Sequence, residues 1–221
     1  MIANGREATG SDTTAVQLAA NFFYLTNNPQ ALAHLTKEIR GTFNSVGDIR
    51  LGPKLDGCQY LHAVVNETLR MSPSLPGVLP REVLPGGLIV AGDAFPPGVD
   101  LLVPIYSLHH IEDVYFQPHK YIPERWIPQK TSEEAVRLCS IALTPFSYGS
   151  RQCIGKRLAV IQLYLVLAKA VWKYSLEYVS GGKDDRFGNE LDTVEYKLLD
   201  HSAAGRSGPV VRFWKREELG K

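Results

Sequence analysis

The sequence lacks a long hydrophobic run and any concentration of charge of one sign. It has no run of about eighteen apolar residues, the length that a membrane-spanning helix needs. Asn4, Gly5 and Arg6 stand where a secretory signal would have an apolar segment. We therefore expect that this chain, as given, neither enters nor spans a membrane. The 24 lysines and arginines are spread along the chain beside 23 acidic residues, which argues against nucleic acid as a partner.

Cysteine is also scarce. The three cysteines, Cys58, Cys139 and Cys153, lie too far apart for a CxxC pair, and their odd number argues against a disulfide framework. This usage indicates a reducing, intracellular setting. The sequence shows no cluster of histidines and carboxylates that would hold a metal ion. With 44% hydrophobic and 21% charged residues, the composition is that of a globular chain with one sizeable core or two small ones.

Apolar spacing predicts four helices. They are expected after Gly10 up to residue 27, over residues 29–43, over residues 55–71 and from residue 154 to about 174. In the second helix, Lys37, Glu38 and Arg40 are expected on the outer face. The last helix is apolar around nearly its whole circumference, which predicts that it is buried.

Strand structure is expected to be limited. Residues 83–102 predict a hairpin with a long loop over residues 92–98. Periodicity fades over residues 109–146, and so long a stretch without regular structure is usually functional or packed around something. The tail from Gly181 onward predicts irregular β structure near the surface.

Cys153 lies at the start of the last predicted helix. Helix N-termini favour a thiolate, because the N–H groups of the first turn point toward it. Gly149 and Gly155 allow backbone conformations and a close approach to a flat ligand that a Cβ would obstruct. Arg151 offers a cation to a carboxylate. A single cysteine taken alone is more typically a small buried hydrophobic residue, so the argument depends on the combination.

That combination resembles a known signature. Phe146, Gly149, Arg151 and Cys153 match the haem-binding pattern FxxGxRxC of the cytochrome P450 superfamily, with Gly155 also in place. The resemblance implies that Cys153 is the axial thiolate ligand of the iron of haem b, which favours cleavage of the bound O–O bond. It also implies that Arg151 pairs with a haem propionate and that Phe146 packs over the sulfur.

Two further motifs occur in the order of that family. Glu67 and Arg70 fit its ExxR motif, and a spacing of three puts both side chains on one helical face. Alone, such a pair is more typical of a solvated helix face. Residues 123–126, Pro-Glu-Arg-Trp, resemble the PER segment. The resemblance implies a structural triad of Glu67, Arg70 and Arg125 that takes no part in the chemistry.

The first predicted helix resembles the distal side of the haem site in this family. Residues 9–14 are similar to the pattern Ala/Gly-Gly-x-Asp/Glu-Thr-Thr/Ser, with Thr9 where the family has Ala or Gly and with Gly10 in place. The resemblance implies that Asp12 and Thr13 relay protons during reduction of O2. Taken alone, these two residues would more typically form a helix cap or a local bond to the backbone.

Other positions are assigned by the resemblance alone. Arg81 stands where the family often places a second propionate partner, and residues 75–79 are expected to line the substrate pocket. The adjacent His109 and His110 are interpreted as packing or propionate-side residues and not as haem ligands.

The resemblance covers nearly the whole chain. It implies a mainly α fold with a small β component, in which residues 1–221 form a single partial domain: the C-terminal, haem-binding part of the P450 fold without its N-terminal half. The implied activity is insertion of one O2 atom into a small, hydrophobic organic substrate. Electrons would come from an NADPH-dependent flavoprotein reductase. The motif style resembles fungal microsomal enzymes, so the full-length parent is expected at the endoplasmic reticulum membrane, with no anchor in this chain.

Two alternatives stay open. A haem-thiolate isomerase or peroxygenase would need neither a proton relay nor a reductase, and Asp12 and Thr13 argue against it. A truncated, catalytically inactive fragment is favoured by the missing N-terminal half. Such a chain would expose apolar helix faces, so we expect poor solubility or a molten state in isolation.

Overall fold

The computed structural model describes residues 8–179, 186–188, 194–201, 203–206 and 208–216. This part of the chain is mainly helical with small sheets, as the sequence predicts. The helices are α1 (Ala8–Asn27), α2 (Pro29–Thr42), α3 (Pro53–Asp56), α4 (Gln59–Met71), α5 (Ile105–His109), α6 (Glu133–Ala142) and α7 (Lys156–Lys173). The strands are β1 (Arg81–Glu82), β2 (Leu88–Val90), β3 (Asp93–Phe95), β4 (Asp100–Leu101), β5 (Tyr174–Tyr178), β6 (Arg186–Gly188), β7 (Val194–Tyr196), β8 (Leu198–His201), β9 (Ala203–Arg206) and β10 (Val211–Lys215).

Four helices supply the main hydrophobic core. Helices α1, α2, α4 and α7 each turn an apolar face inward, because their buried residues recur at helical spacing. The core residues on these helices are Leu25, Leu35, Ile39, Leu61, Val64, Val65, Leu163, Leu167 and Val171. The predicted helices at residues 11–27, 29–43 and 154–174 are therefore confirmed to within a few residues. The one predicted over residues 55–71 is divided into α3 and α4, since Gly57 and Cys58 follow the end of α3.

The prediction that α7 is buried all round is wrong for the described chain. Leu163 and Leu167 are buried, but Leu158 is 62% exposed and Val166 is 41% exposed. The helix lies against α1, α2 and α4 on one side, and no described element covers the other side. The apolar composition of α7 thus predicted more burial than the described residues provide.

Glu38 and Arg40, which were expected on the outer face of α2, are half-buried and bind the ends of other elements. The Glu38 carboxylate accepts from the N–H groups of Tyr60 and Leu61 at 2.8 and 2.9 Å, at the N-terminus of α4. The Arg40 guanidinium donates to the last carbonyls of α7 and the next strand, at Val171 and Tyr174. Both side chains satisfy groups that helix ends leave unpaired, and their charges suit the helix dipoles.

The segment after α4 forms two nested strand pairs. Strand β1 pairs with β4, and β2 pairs with β3, both antiparallel. The turn between β2 and β3 is Ala91-Gly92, with φ of +52° and +97°. Such a two-residue turn matches strand twist, so the predicted long loop over residues 92–98 is wrong.

Residues 105–142 contain more regular structure than predicted. Helices α5 and α6 lie here, together with a 3-10 turn at Pro123–Trp126. The side chain of Ser132 accepts from the N–H of Ala135 and caps α6. Ser132 followed by Glu133 and Glu134 is a sequence signal for a helix N-terminus. The helix was not predicted because its ten residues give only a weak apolar periodicity.

The C-terminal part contains short antiparallel strand pairs, as predicted. Strand β5 pairs with β10, β6 with β7, and β8 with β9. Residues 181–185, where this tail was expected to begin, lie outside the described residues. Among the described helices, none combines the length and hydropathy that a bilayer crossing requires.

Candidate functional site

A compact loop between α6 and α7 carries Cys153. The N–H of Cys153 donates to the carbonyl of Phe146 at 2.9 Å, and the N–H of Gln152 donates to that of Gly149 at 3.1 Å. Ser147 and Gly149 have φ of +61° and +73°, so the chain reverses twice within three residues. Gly155 directly precedes α7. The loop therefore presents Cys153 next to a helix N-terminus, as predicted.

The exposure of Cys153 separates it from the other two cysteines. Its side chain is exposed, whereas Cys58 and Cys139 are buried. The thiols of Cys58 and Cys139 donate to the carbonyls of Lys54 and Val114. Burial raises the pKa of Cys58 to about 11, which keeps it a neutral thiol. These two cysteines serve as small hydrophobic residues, and Cys153 is accessible to a ligand.

A cavity of about 240 Å³ lies beside Cys153. Helix α1 supplies one wall, the end of α4 and the following segment supply a second, and the cysteine loop supplies the third. The lining residues are Thr13, Gln17, Leu69, Ser74, Leu75, Leu79, Pro145, Phe146, Ser147, Arg151 and Cys153. The structure thus brings together four predicted site residues, Thr13, Phe146, Arg151 and Cys153, along with Leu75 and Leu79.

Arg81 lies in a neighbouring cavity of about 470 Å³. Its guanidinium donates to the carbonyl of Pro80 at 2.9 Å, and the side chain is exposed. The two cavities share Leu79 and Ser147 as wall residues. Arg81 and Arg151 therefore line two adjacent cavities.

Gly10 and Asp12 do not line the cavity that Thr13 lines. Both are exposed near the beginning of α1, and Gly10 lies inside the helix, where its carbonyl accepts from Thr14 Oγ1 at 3.2 Å. Ser74 Oγ donates to the carbonyl of Thr13 at 2.8 Å, which joins α1 to the segment after α4. Asp12 is thus exposed to solvent, whereas its neighbour Thr13 lines the cavity.

Glu67, Arg70 and Arg125 form a buried ion-pair cluster. Arg70 Nη2 donates to Glu67 Oε1 at 2.8 Å, and Arg125 Nε donates to the same oxygen at 3.0 Å. Trp126 Nε1 and the N–H of Ile122 also donate to this carboxylate, at 2.9 Å each. Burial opposes ionisation of Glu67, but the two guanidinium groups outweigh it and lower the pKa of Glu67.

The cytochrome P450 family model matches residues 8–197, which include the cavity, the triad and Cys153. This chain belongs to the cytochrome P450 family. Proteins of this family generally bind haem through a cysteine thiolate.

Three of the curated relatives that this chain resembles are fungal P450 monooxygenases. The cytochrome P450 monooxygenase apf8 of Gibberella fujikuroi is 39% identical over 95% of this chain and 58% of its own length. The monooxygenase atnE of Emericella nidulans is 39% identical over 94% of this chain and 39% of its own length. The monooxygenase poxM of Penicillium oxalicum is 41% identical over 92% of this chain and 37% of its own length. The chain therefore spans between about a third and three fifths of these relatives.

The residues present fit the P450 haem group. The loop offers one accessible sulfur, with the Arg151 cation and the Phe146 ring lining the same cavity. A Cβ built on Gly155 would lie 3.8 Å from the sulfur of Cys153, at van der Waals distance, so this glycine lies directly beside the sulfur. A soft thiolate donor suits the iron of a porphyrin. The nearby cation suits the propionate carboxylates at the edge of the porphyrin.

Sequence reasoning interpreted His109 as a packing or propionate-side residue without predicting its contacts, and it missed Gln17. His109 is buried, with Nδ1 3.2 Å from the carbonyl of Arg70, while Nε2 accepts from the N–H of Thr144 at 2.9 Å. Burial lowers the pKa of His109 to about 4, so it is neutral and ties α4 to the start of the cysteine loop. No sequence signal separated it from His110. Gln17 lines the Cys153 cavity, and its position one helical turn after Thr13 was a usable signal.

Proposed function

We propose that this chain supplies the haem-binding part of a P450 monooxygenase that inserts one O2 atom into a small, hydrophobic organic substrate. The observation that carries the proposal is the shared cavity: the exposed Cys153 and the distal-helix residue Thr13 line the same space. Cys153 belongs to the haem-binding motif and Thr13 to the distal-side motif, and 140 positions of sequence separate them.

The proposed cofactor is haem b. Cys153 would ligate the iron, Arg151 and Arg81 would hold the propionates, and Phe146 would pack beside the sulfur. Gly149 and Gly155 would keep the loop free of side chains on the cofactor side. When bound, the haem supplies the iron at which O2 is activated, and the thiolate favours O–O cleavage. The aromatic ring and the apolar wall would limit hydrogen bonding to the sulfur, which tunes such a centre.

Asp12 and Thr13 are the proposed proton relay, and Gly10 is a distal-helix residue beside it. Asp12 is exposed, so its carboxylate can take a proton from solvent. Thr13 is half-buried at the cavity wall, and its hydroxyl can pass a proton inward. Neighbouring positions on a helix point in different directions, which suits one residue in water and the next in the cavity.

The cavity also supports the proposed substrate class. Leu69, Leu75 and Leu79 supply most of its apolar wall, which favours a hydrophobic molecule over a charged one. For the whole protein we propose an NADPH-dependent flavoprotein reductase as the electron donor and the endoplasmic reticulum membrane as the location. These assignments rest on the likeness to fungal P450 monooxygenases.

The first test is spectroscopic. The purified chain would be reconstituted with haem, reduced and exposed to carbon monoxide, and the Soret difference spectrum recorded for wild type and for Cys153→Ser. We expect a strongly red-shifted, thiolate-type band in wild type that is lost in the variant. Cys58→Ser is the matched control, since its buried thiol donates to a backbone carbonyl as a hydroxyl can. It should retain the band.

Two outcomes would contradict the proposal. A red-shifted band that persists in Cys153→Ser would show that another group ligates the iron. The absence of any such band in haem-loaded wild type would favour the inactive fragment over an enzyme part.

A further inference from the structure

Three side chains far apart in sequence converge near the end of α5. His110 directly follows α5, His119 lies in the segment before the Pro123–Trp126 turn, and Glu195 lies in β7. One ligand atom from each lies within 4.8 Å of the other two. None of the three lines the Cys153 cavity. The sequence could not show this cluster, because Glu195 is brought to the histidines only by the fold.

His110 has one ring nitrogen without a protein partner. Its Nδ1 lies 2.8 Å from the carbonyl of Tyr106, so Nδ1 carries the hydrogen and donates. Nε2 is then an acceptor, and it is buried with no hydrogen-bond partner among the residues that the structure describes. A buried acceptor without a partner costs free energy unless a ligand satisfies it.

Glu195 is the charged member of the cluster. Its carboxylate is buried, with Oε1 3.1 Å from His119 Nδ1 and with Oε2 accepting from the Tyr106 hydroxyl at 2.8 Å. His119 is one-third exposed, so the cluster has an opening toward solvent. A neutral histidine acceptor, a second histidine and a buried carboxylate are the donor set of many divalent metal sites.

We propose that His110, His119 and Glu195 bind a divalent transition-metal cation, with Zn²⁺ as the best fit to the donor set and a water molecule as the fourth ligand. Zinc bonds to nitrogen and oxygen of about 2.0 to 2.1 Å place tetrahedral ligand atoms about 3.4 Å apart. Ligand atoms that already lie within 4.8 Å reach that spacing by side-chain shifts of about 1 Å.

Tyr106 supports two of the three ligands. Its carbonyl fixes the tautomer of His110 that leaves Nε2 free to coordinate, and its hydroxyl orients the far oxygen of Glu195. Such outer contacts are the usual support of metal-bound histidines and carboxylates.

The site would be structural. Its ligands join β7 to the end of α5 across 85 positions of sequence, so a bound cation would fasten the C-terminal strands to the helical part. The three ligands lie outside the lining of the Cys153 cavity, so cation binding here does not depend on haem.

Cobalt is the first probe, because four-coordinate Co²⁺ has visible absorption that Zn²⁺ lacks. Co²⁺ and then Zn²⁺ would be titrated into the full chain carrying Cys153→Ser, which removes the exposed thiol as a competing ligand. We expect one Co²⁺ per chain, a four-coordinate spectrum and displacement by Zn²⁺. His119→Ala should weaken binding by at least about tenfold, and Tyr106→Phe should weaken it by about tenfold with all ligands retained.

His34→Ala is the matched control. His34 also lies beside a glutamate, with Nδ1 3.5 Å from Glu124 Oε1, but its side chain is 59% exposed. Among the described residues, it is not part of a group of three potential metal ligands. Its loss should leave Co²⁺ affinity unchanged. The proposal is overturned if no saturable site is found, or if His34→Ala and His119→Ala weaken binding equally. Far-ultraviolet circular dichroism of each variant separates loss of ligand from loss of fold.

Discussion

At the scale of single residues, the surroundings of a charge decide what an ion pair contributes. Glu67–Arg70 and Glu134–Arg137 are both glutamate–arginine pairs with a spacing of three, and both have a contact of 2.8 Å. The first pair has no exposed side-chain surface, whereas the second is 65% and 60% exposed. Water screens the second pair, but losing one member of the first leaves a buried charge that water does not reach and that keeps only part of its protein partners.

Arg70→Ala should therefore lower the free energy of unfolding by roughly 3 to 5 kcal/mol, because Glu67 and several carbonyls lose their donor. Arg70 also donates to the carbonyls of His109 and Pro118 at 3.0 and 2.7 Å. Urea denaturation of the purified chain measures the loss. Arg137→Ala is the control and should behave as wild type. Equal losses in the two variants would show that burial of the triad is not what makes it stabilising.

The sequence could predict the Glu67–Arg70 pairing but not its burial. The same spacing occurs at Glu134 and Arg137, so the local pattern does not distinguish the buried pair from the exposed one. The likeness to the ExxR and PER motifs of the family did distinguish them, because it implied that Arg125 joins Glu67 and Arg70. The contacts of His109 could not be predicted from the sequence, because its two partners lie 39 and 35 positions away and no local pattern reveals them.

At the scale of elements, the loop before α7 depends on one backbone conformation. Gly149 has φ of +73°, and a Cβ there would meet nothing within 4 Å. A substitution would thus be strained by the backbone and not by neighbouring atoms. Because the N–H of Gln152 donates to the carbonyl of Gly149, strain at this residue is passed to the turn that presents Cys153.

Gly149→Ala should cost about 1 to 2 kcal/mol in urea unfolding, the ordinary penalty for a left-handed residue with a side chain. Gly41→Ala is the matched control, since Gly41 lies in α2 and its Cβ would also meet nothing within 4 Å. It should instead stabilise the chain by up to about 1 kcal/mol. A neutral result at Gly149 would mean that this loop conformation is not required for folding.

Elements with long periodic patterns were predictable, and short ones were not. Helices α1, α2 and α7 have at least fourteen residues and a repeating apolar face. Helix α6 has ten residues and is buried only at Cys139, so its pattern is weak. The turn at Ala91-Gly92 was missed because alanine with positive φ is rare, and the glycine alone suggested a longer loop.

At the scale of the whole molecule, buried titrating groups determine the response to acid. Burial lowers the pKa of both His109 and His110 to about 4. In the unfolded chain these rings have a pKa of about 6.5. Between these values the unfolded chain binds protons that the folded chain does not, so stability rises with pH. Glu67 acts in the same direction below its unfolded pKa, because its folded pKa is lowered.

We expect the free energy of unfolding to fall between pH 6.5 and pH 4, by about 1.4 kcal/mol per pH unit for each buried histidine. His109→Asn keeps a donor toward the carbonyl of Arg70 but cannot titrate, so it should remove the His109 part of this slope. Urea unfolding at a series of pH values measures it, with His34→Asn as the exposed control. An unchanged slope in His109→Asn would contradict the assignment of His109 as a neutral buried ring.

The uncovered side of α7 is also a property of the whole chain. Leu158 and Val166 remain exposed on a helix whose other side is core. This chain covers only 37% to 58% of the length of the curated relatives named above. Poor solubility or a molten state of the isolated chain stays a prediction, which a single sharp, reversible unfolding transition would refute.

The carboxylate of Glu67 also sets the cooperativity of local opening. It accepts from Arg70 on its own helix and from Ile122, Arg125 and Trp126 more than fifty positions away. If that distant segment detached alone, a buried negative charge would keep only one of its two cations. We therefore expect helix α4 and residues 109–126 to open together as one hydrogen-exchange unit, so that the amide of Ile122, which donates to Glu67, exchanges at the rate of the slow amides of α4.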